Sequence, residues 1–361
     1  MKQTPLYHCH LSLGATMAPF AGWDMPILYG SANKEIDAVH TNAGAFDVSH
    51  MGVLRFTGKN SASFLQYVTA NDINRIEPGK AQYSLLLNEA GGVVDDIILY
   101  RFGENDYKMV VNGACKDNDW KWLSDRLGGV EGAQMIDESD RTALIAIQGP
   151  KAVEIVAEIA QDGGLPELKR FCHKETEIAG VRATAARTGY TGEDGFELLC
   201  EWDRAEQVWN RFMNAGVQPC GLAARDVLRI EAAYPLYGHE LSEDINALRC
   251  GVGWAIRQGK GDFIGRRAIK EESKDVQQKL RGLRVSGRGI PRENYHVYCA
   301  DGTRTIGITT SGTFSPTLKA GIALARIDAA SCAAGTEVLI DIRGRLTAAS
   351  LVDPPFYRNG V

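Results

Sequence analysis

Apolar and polar positions along the chain change period in an ordered way. Residues 82–87, 93–102 and 107–111 are apolar runs broken by Asn88, by Gly91-Gly92 and by Gly103-Glu104-Asn105-Asp106. Such breaks are the turn chemistry that joins antiparallel strands. A helical segment over residues 61–68 precedes these strands, and an amphipathic one over 116–127 follows them. The same layout then recurs. Pro150 opens a helix through Ala160, as suits proline in a first helical turn; strands follow at 182–188 and 196–200, and a helix at 203–213. The two stretches share a pattern and almost no identities, which predicts two α+β units of related topology. From about residue 279 the texture shifts to short β-like runs at 280–285, 296–299, 305–310, 321–326 and 337–342. Their Gly/Ser/Pro turns have the spacing of a sandwich or barrel. The charged stretch Lys270-Glu271-Glu272-Ser273-Lys274-Asp275 closes a helix and marks the linker before them.

Composition narrows the reading. A chain of 361 residues predicts two or three domains, and its 44% apolar content is enough for full cores. A net charge of −5 and a pI near 5.9 lack the basic footprint of a nucleic-acid binder, so a folded partner or a small ligand is expected instead. The eight cysteines, Cys9, Cys115, Cys172, Cys200, Cys220, Cys250, Cys299 and Cys332, never form C-x-x-C. Most have apolar neighbours, which predicts buried thiols rather than a disulfide framework. No apolar signal core follows Met1-Lys2-Gln3-Thr4-Pro5, and no apolar run approaches the roughly 18 residues of a membrane span. A cytoplasmic protein with no membrane role is the expectation.

Four places carry candidate chemistry. Asp95-Asp96 stands at the mouth of the strand Val93-Val94-Asp95-Asp96-Ile97-Ile98-Leu99-Tyr100. Strand side chains alternate faces, so Asp96 lies with Ile98 and Tyr100, and Asp95 with Ile97, Leu99 and Arg101. At most one of the pair can look into a given cleft; the competing reading is that both are solvated loop acids. Glu197 falls inside a strand beside Phe196 and Leu198, after the glycine-rich turn Gly189-Tyr190-Thr191-Gly192-Glu193-Asp194-Gly195. Arg225 and Arg229 share one face of a helix over residues 221–232, either as a solvated face or as forks for a carboxylate. His8-Cys9-His10 resembles a metal motif but lacks spaced partner pairs, so no metal is expected and a surface helix start is the alternative. No G-x-S-x-G elbow, P-loop or G-x-G-x-x-G occurs. What remains is a pocket for a polar, partly aromatic small molecule.

Other segments look specific without a generic mechanism. They include Thr4-Pro5-Leu6-Tyr7, Phe20-Ala21-Gly22-Trp23-Asp24-Met25-Pro26, Phe46-Asp47-Val48-Ser49-His50-Met51-Gly52, Leu236-Tyr237-Gly238 and Ser311-Gly312-Thr313-Phe314-Ser315-Pro316-Thr317-Leu318. With the Gly91–Ile97, Gly149-Pro150, Thr188–Gly195 and Gly221–Arg225 segments, and in this order, they resemble the T-protein aminomethyltransferases of the glycine cleavage system nearly end to end.

The resemblance implies an α+β chain of three domains in a clover leaf around a central folate cavity. Two would be α+β domains with related antiparallel sheets, formed by residues 1–50 with 141–240 and by 51–140 with 241–278. The third, residues 279–361, would be a β-barrel or jelly-roll-like domain. The implied reaction moves the aminomethyl carbon from the dihydrolipoyl arm of H-protein to tetrahydrofolate, giving 5,10-methylenetetrahydrofolate and ammonia. Tetrahydrofolate is then the acceptor substrate, lipoylated H-protein a transient partner, and the chain a monomer. Asp96 corresponds to the family's essential acid, and Glu197 and Arg225 to folate contacts. Met51, Tyr83, Tyr100, Asn112, Tyr190, Tyr237 and Trp254 fall where the family lines the cavity. Alternatives within the superfamily are a tetrahydrofolate-dependent demethylase and a non-catalytic folate-binding assembly factor.

Overall fold

The computed structural model describes residues 1–358; residues 359–361, the end of the third expected domain, lie outside the described residues. The chain forms two compact units. One comprises Met1–Tyr67, Asp72–Ser84 and Ile97–Asp226; the other comprises Val68–Asn71, Leu85–Asp96 and the chain from Val227 onward.

The first unit is built on a six-stranded sheet. Its strands lie in the order His173–Ile178, Val181–Ala186, Gly195–Glu201, Thr142–Gln148, Gly44–Asp47 and Gln218–Pro219. Neighbours are antiparallel except the last pair, which is parallel. Thr142–Gln148 is buried at every position, as its unbroken apolar run requires of a strand covered on both faces. Helix Ala152–Ala160 places Ala152, Val156 and Ile159 in the core, and helix Ala205–Asn214 adds Val208, Trp209 and Phe212. Those spacings keep each apolar set on one helical face. Pro150 sits in the turn before the first of these helices, whose regular part begins at Ala152 rather than at the proline. The helix expected at 203–213 is a 3-10 turn, Trp202–Arg204, followed by Ala205–Asn214.

A three-stranded sheet of Lys2–Gln3, Trp23–Leu28 and Thr16–Phe20 also belongs to this unit and escaped the periodicity. Its hairpin turns at Ala21 and Gly22, both in the left-handed region at φ 50° and 82°. The Phe20–Pro26 motif is therefore a turn and the strand after it. A five-stranded sheet runs Lys80–Leu87, Val93–Gly103, Asp106–Val111, Gly52–Thr57 and Gln134–Asp137, its last four strands successively antiparallel.

In the second unit a closed antiparallel barrel has the order Gln278–Val285, Ala320–Asp328, Thr305–Ser315, His296–Cys299, Glu337–Ile342 and Arg345–Val352. Alternate residues such as Leu283, Val285, Ala323, Ala325, Ile327, Ala349 and Leu351 fill its core. The closing strand Arg345–Val352 was not legible, because Thr347-Ala348-Ala349-Ser350 carries little β-propensity. Thr305–Ser315 outruns the expected 305–310. Its continuation passes so close to Pro291 that a Cβ on Gly312 would stand 2.7 Å from the Pro291 carbonyl oxygen. The α+β class with a C-terminal β-barrel is as the sequence predicts. The eight cysteines are all free thiols and six are buried.

Candidate functional site

The glycines ahead of the acid pair are there for close packing. A Cβ on Gly92 would stand 1.7 Å from the Glu243 carbonyl oxygen, so only glycine lets the 242–247 segment lie against the strand mouth. Val93 N donates to Ser242 O at 2.9 Å, and Ala247 N to Gly91 O at 3.0 Å. Asn88 closes the turn: its Oδ1 accepts from Ala90 N at 3.1 Å and Gly92 N at 2.9 Å. Both acids lie within strand Val93–Gly103, so the solvated-loop reading fails. Asp95 is fully buried, whereas Asp96 is half-buried on the face it shares with Ile98 and Tyr100.

In the first unit Glu197 sits half-buried in strand Gly195–Glu201. Thr188 Oγ1 donates to Glu197 Oε2 at 2.6 Å. That hydroxyl has only one proton, so Tyr100, whose OH lies 3.4 Å from Thr188 Oγ1, is the donor to it. Burial pushes the Tyr100 phenol well above its usual pKa and the Glu197 charge adds to the effect, with the Thr188 bond opposing them. Tyr100 therefore stays protonated and passes its hydrogen bond toward Glu197.

The loop bearing Thr188 and Tyr190 is pinned from inside. Buried Gln148 donates from Nε2 to Thr188 O at 3.1 Å and accepts from Thr191 Oγ1 at 2.9 Å. A Cβ on Gly189 would stand 1.8 Å from Gln148 Oε1. Arg187 forks onto Asp194 at 3.0 and 2.6 Å, and the preceding strand ends at Ala186, short of the expected residue 188.

Helix Leu222–Glu231 brings the arginines. Its start is fixed by the fully buried Glu35, which accepts from Gly221 N at 2.8 Å and Tyr29 N at 2.7 Å. Burial raises the Glu35 carboxyl pKa, and these two bonds oppose that rise. Gly221 has no alternative, since a Cβ there would meet the Ile27 carbonyl at 2.2 Å. The half-buried Arg225 places its guanidinium 4.8 Å from the Tyr190 ring centre, a cation–π distance. Its Nη1 is buried with no hydrogen-bond partner. Burial lowers the Arg225 pKa, and the charges of Glu197 and Tyr190 pull the other way.

Arg229 is different, and the solvated-face reading fails for it. It is fully buried in the second unit, donating to Glu240 Oε2 at 2.9 Å and Ser311 Oγ at 2.8 Å. Glu240 also accepts from Thr310 Oγ1 at 2.5 Å and Leu236 N at 3.0 Å. The Leu236-Tyr237-Gly238 and Ser311–Leu318 motifs thus meet around one ion pair. Ser315 adds a hydroxyl hydrogen bond to Glu231.

The remaining expected residues are dispersed. In the first unit Met51 precedes strand Gly52–Thr57, Tyr83 lies in Lys80–Leu87, and Asn112 follows Asp106–Val111; all three are half-buried. In the second unit Tyr237 is half-buried, while Trp254, in the 3-10 turn Gly253–Ala255, is 59% exposed.

Sequence reasoning missed Thr188 as the link from Tyr100 to Glu197. It also missed what His8-Cys9-His10 does. Helix Tyr7–Ser12 buries Cys9 and His10, contrary to the surface alternative. His10 Nε2 lies 2.8 Å from Asp47 Oδ2, and Tyr29 OH lies 2.7 Å from His10 Nδ1. Burial favours protonation of Asp47, but the hydrogen bonds and charge of His10, with further hydrogen bonds, hold its carboxyl below the usual range. The partner lies 37 positions away, beyond any local pattern.

Comparisons with known proteins cover nearly the whole chain. Residues 6–260 match the family model described as the GCVT N-terminal domain, and residues 278–358 match the glycine cleavage T-protein C-terminal barrel domain. An aminomethyltransferase of Geobacillus kaustophilus is 44% identical over 366 residues, covering 99% of both chains. One of Bacillus subtilis is 41% identical over 365 residues, again covering 99% of both. Among solved structures, the glycine cleavage system aminomethyltransferase T of Bartonella henselae superposes with a TM-score of 0.92 at 32% identity, covering 99% of this chain and 98% of that one.

Proposed function

The chain belongs to the T-protein family of the glycine cleavage system, the tetrahydrofolate-dependent aminomethyltransferases, and from that premise we propose how its residues share the work. The reaction moves the aminomethyl carbon from the dihydrolipoyl sulfur of H-protein to tetrahydrofolate. Two carbon–nitrogen bonds form to the folate. The carbon–sulfur bond and the bond to the amine nitrogen break. The two protons displaced from the folate nitrogens leave with the thiol and with ammonia.

Such chemistry asks the protein to position two reactants and to stabilise positive charge on the carbon in transit. Asp96 is the catalytic acid in this reading. A half-buried carboxylate interacts more strongly with a developing cation than one in open water. The observation that carries the assignment is the split within the acid pair: Asp95 is sealed in the fold, while Asp96 lies on the strand face of Tyr100. Glu197 and Arg225 hold the pterin. The carboxylate takes N–H donors, and the buried, unpartnered Nη1 of Arg225 supplies a donor for a ring acceptor. Met51, Tyr83, Tyr100, Asn112, Tyr190, Tyr237 and Trp254 complete the folate site.

The three-part division into 1–50 with 141–240, 51–140 with 241–278, and 279–361 belongs to the same proposal. Its support is that the six-stranded sheet, the five-stranded sheet and the barrel draw their strands from those three sets in turn, the barrel's first strand starting one residue early, at Gln278. A monomer that meets H-protein transiently in the cytoplasm completes the reading. Among the described residues no helix is long and apolar enough to cross a membrane.

The test runs the reaction in reverse. Purified chain is mixed with methylenetetrahydrofolate, ammonia and reduced lipoylated H-protein, and aminomethyl loading of H-protein is followed by mass. Wild type is expected to load it. Asp96→Asn should lose on the order of 100-fold in turnover while still binding tetrahydrofolate, and Asp95→Asn should lose less. Equal losses from the two changes would overturn the assignment of Asp96.

A further inference from the structure

The Phe46–Gly52 motif folds into a turn with more hydrogen bonds than a turn needs. Asp47 Oδ1 accepts from Ser49 N at 2.9 Å, and its Oδ2 is held by His10 at 2.8 Å. Ser49 Oγ both donates to Leu144 O, at 3.2 Å, and accepts from Leu144 N, at 3.1 Å. Val48 N donates to Leu144 O at 3.0 Å, and Met51 N to Val48 O at 3.1 Å. This scaffold fixes the one side chain it leaves incomplete. His50 is 6% exposed, and its Nδ1 is buried with no hydrogen-bond partner. Leaving such an atom unmatched costs roughly 1–3 kcal/mol, and in so well-bonded a turn the vacancy needs a reason.

The surroundings supply one. A Cβ on Gly113 would stand 2.5 Å from His50 O and 3.0 Å from its Cδ2, so the backbone beside Asn112 runs directly against this histidine. Met51 is its chain neighbour. Phe20 meets the imidazole edge-on at 5.4 Å between ring centres. Arg225, whose own Nη1 is buried and unpartnered, acts on it electrostatically. His50 therefore lies beside Met51 and the Asn112-Gly113 backbone and feels the charge of Arg225, and Met51, Asn112 and Arg225 are all members of the proposed folate site.

We infer that His50 is a further tetrahydrofolate-contacting residue, its Nδ1 kept for a polar edge of the bound pteridine. The inference rests on the folate site proposed above and adds a residue to it. Burial, with the Arg225 charge adding and Asp47 opposing, pushes the His50 pKa down to about 4. The ring is thus neutral at physiological pH and offers one donor and one acceptor nitrogen, where a cation would offer donors only. Under the charge of Arg225, a neutral ring can bind the uncharged pteridine without a second buried charge.

The test follows the imidazole nitrogens of the full chain by 15N NMR while tetrahydrofolate is added. Binding should move the His50 Nδ1 resonance. His50→Phe keeps the ring shape and should weaken tetrahydrofolate roughly tenfold. His50→Asn, whose amide falls near the Nδ1 position, should recover most of that loss. A His50 resonance unmoved at saturating tetrahydrofolate, or a His50→Phe affinity within about twofold of wild type, overturns the inference and leaves the folate site standing. If wild type binds no tetrahydrofolate, the proposed function itself falls, and this inference with it. The NMR result decides the matter should His50→Phe fail to fold.

Discussion

Two arginines stand one turn apart on helix Leu222–Glu231, in contrasting surroundings. Arg229, in the second unit, is fully buried and bonded to Glu240 and Ser311, while Thr310 and the Leu236 amide engage the same carboxylate. Arg225, in the first unit, stacks on Tyr190 with one buried nitrogen unpartnered. The first arrangement has its hydrogen-bonding demand met internally and reads as architecture. The second is incomplete without something else, which is how a preorganised binding site differs from a structural ion pair. His50 repeats the second pattern. The same residue type on the same helical face thus stands in two states of polar satisfaction, and the proposed binding role of Arg225 rests on that difference where spacing gives none.

The sharpest way to break that contrast is Arg229→Ala. It strands the buried Glu240 carboxylate, and a loss of about 3–5 kcal/mol in unfolding free energy is expected by denaturant titration. A loss below about 1 kcal/mol would show that the buried pair is not architectural.

The acid side of the pH profile sharpens the contrast next. The unfolded chain protonates His50 near 6.5, while the folded chain refuses that proton until about pH 4. Between those values the unfolded state holds more protons, so stability is full above 6.5 and falls as pH drops through the window. The contribution at stake is on the order of 3 kcal/mol, and His50→Phe should remove it from the unfolding-versus-pH curve. Identical curves for the two proteins would mean that His50 titrates normally in the fold.

The smallest expected effect belongs to Thr188→Val. Cutting the relay from Tyr100 to Glu197 should weaken tetrahydrofolate binding by about 1 kcal/mol, read by calorimetry. An unchanged affinity would make that hydroxyl a loop fastener.

Much of this was legible in the sequence, and what was not has identifiable causes. Helices Ser61–Val68 and Lys116–Leu127 appear at their expected bounds, because apolar periodicity is a local signal. The alternation that separated Asp95 from Asp96 is equally local and holds in the strand. The closing barrel strand Arg345–Val352 was missed because barrel closure, rather than propensity, decides it. The sequence left Arg229 between a solvated face and a carboxylate fork, and the fork onto Glu240 could not be chosen because Glu240 and Ser311 stand 11 and 82 residues away. The unused hydrogen-bonding capacity of Arg225 Nη1 and His50 Nδ1 has no sequence signature at all, since an unmade hydrogen bond is visible only once every neighbour is placed.

The most direct test of the account is tetrahydrofolate titration of Arg225→Ala beside its denaturant curve. An affinity loss of roughly 10- to 100-fold is expected, as for a hydrogen bond from a charged donor, with unfolding free energy changed by less than about 1 kcal/mol. Unchanged affinity with a large loss of stability would contradict it and place Arg225 with Arg229 as architecture.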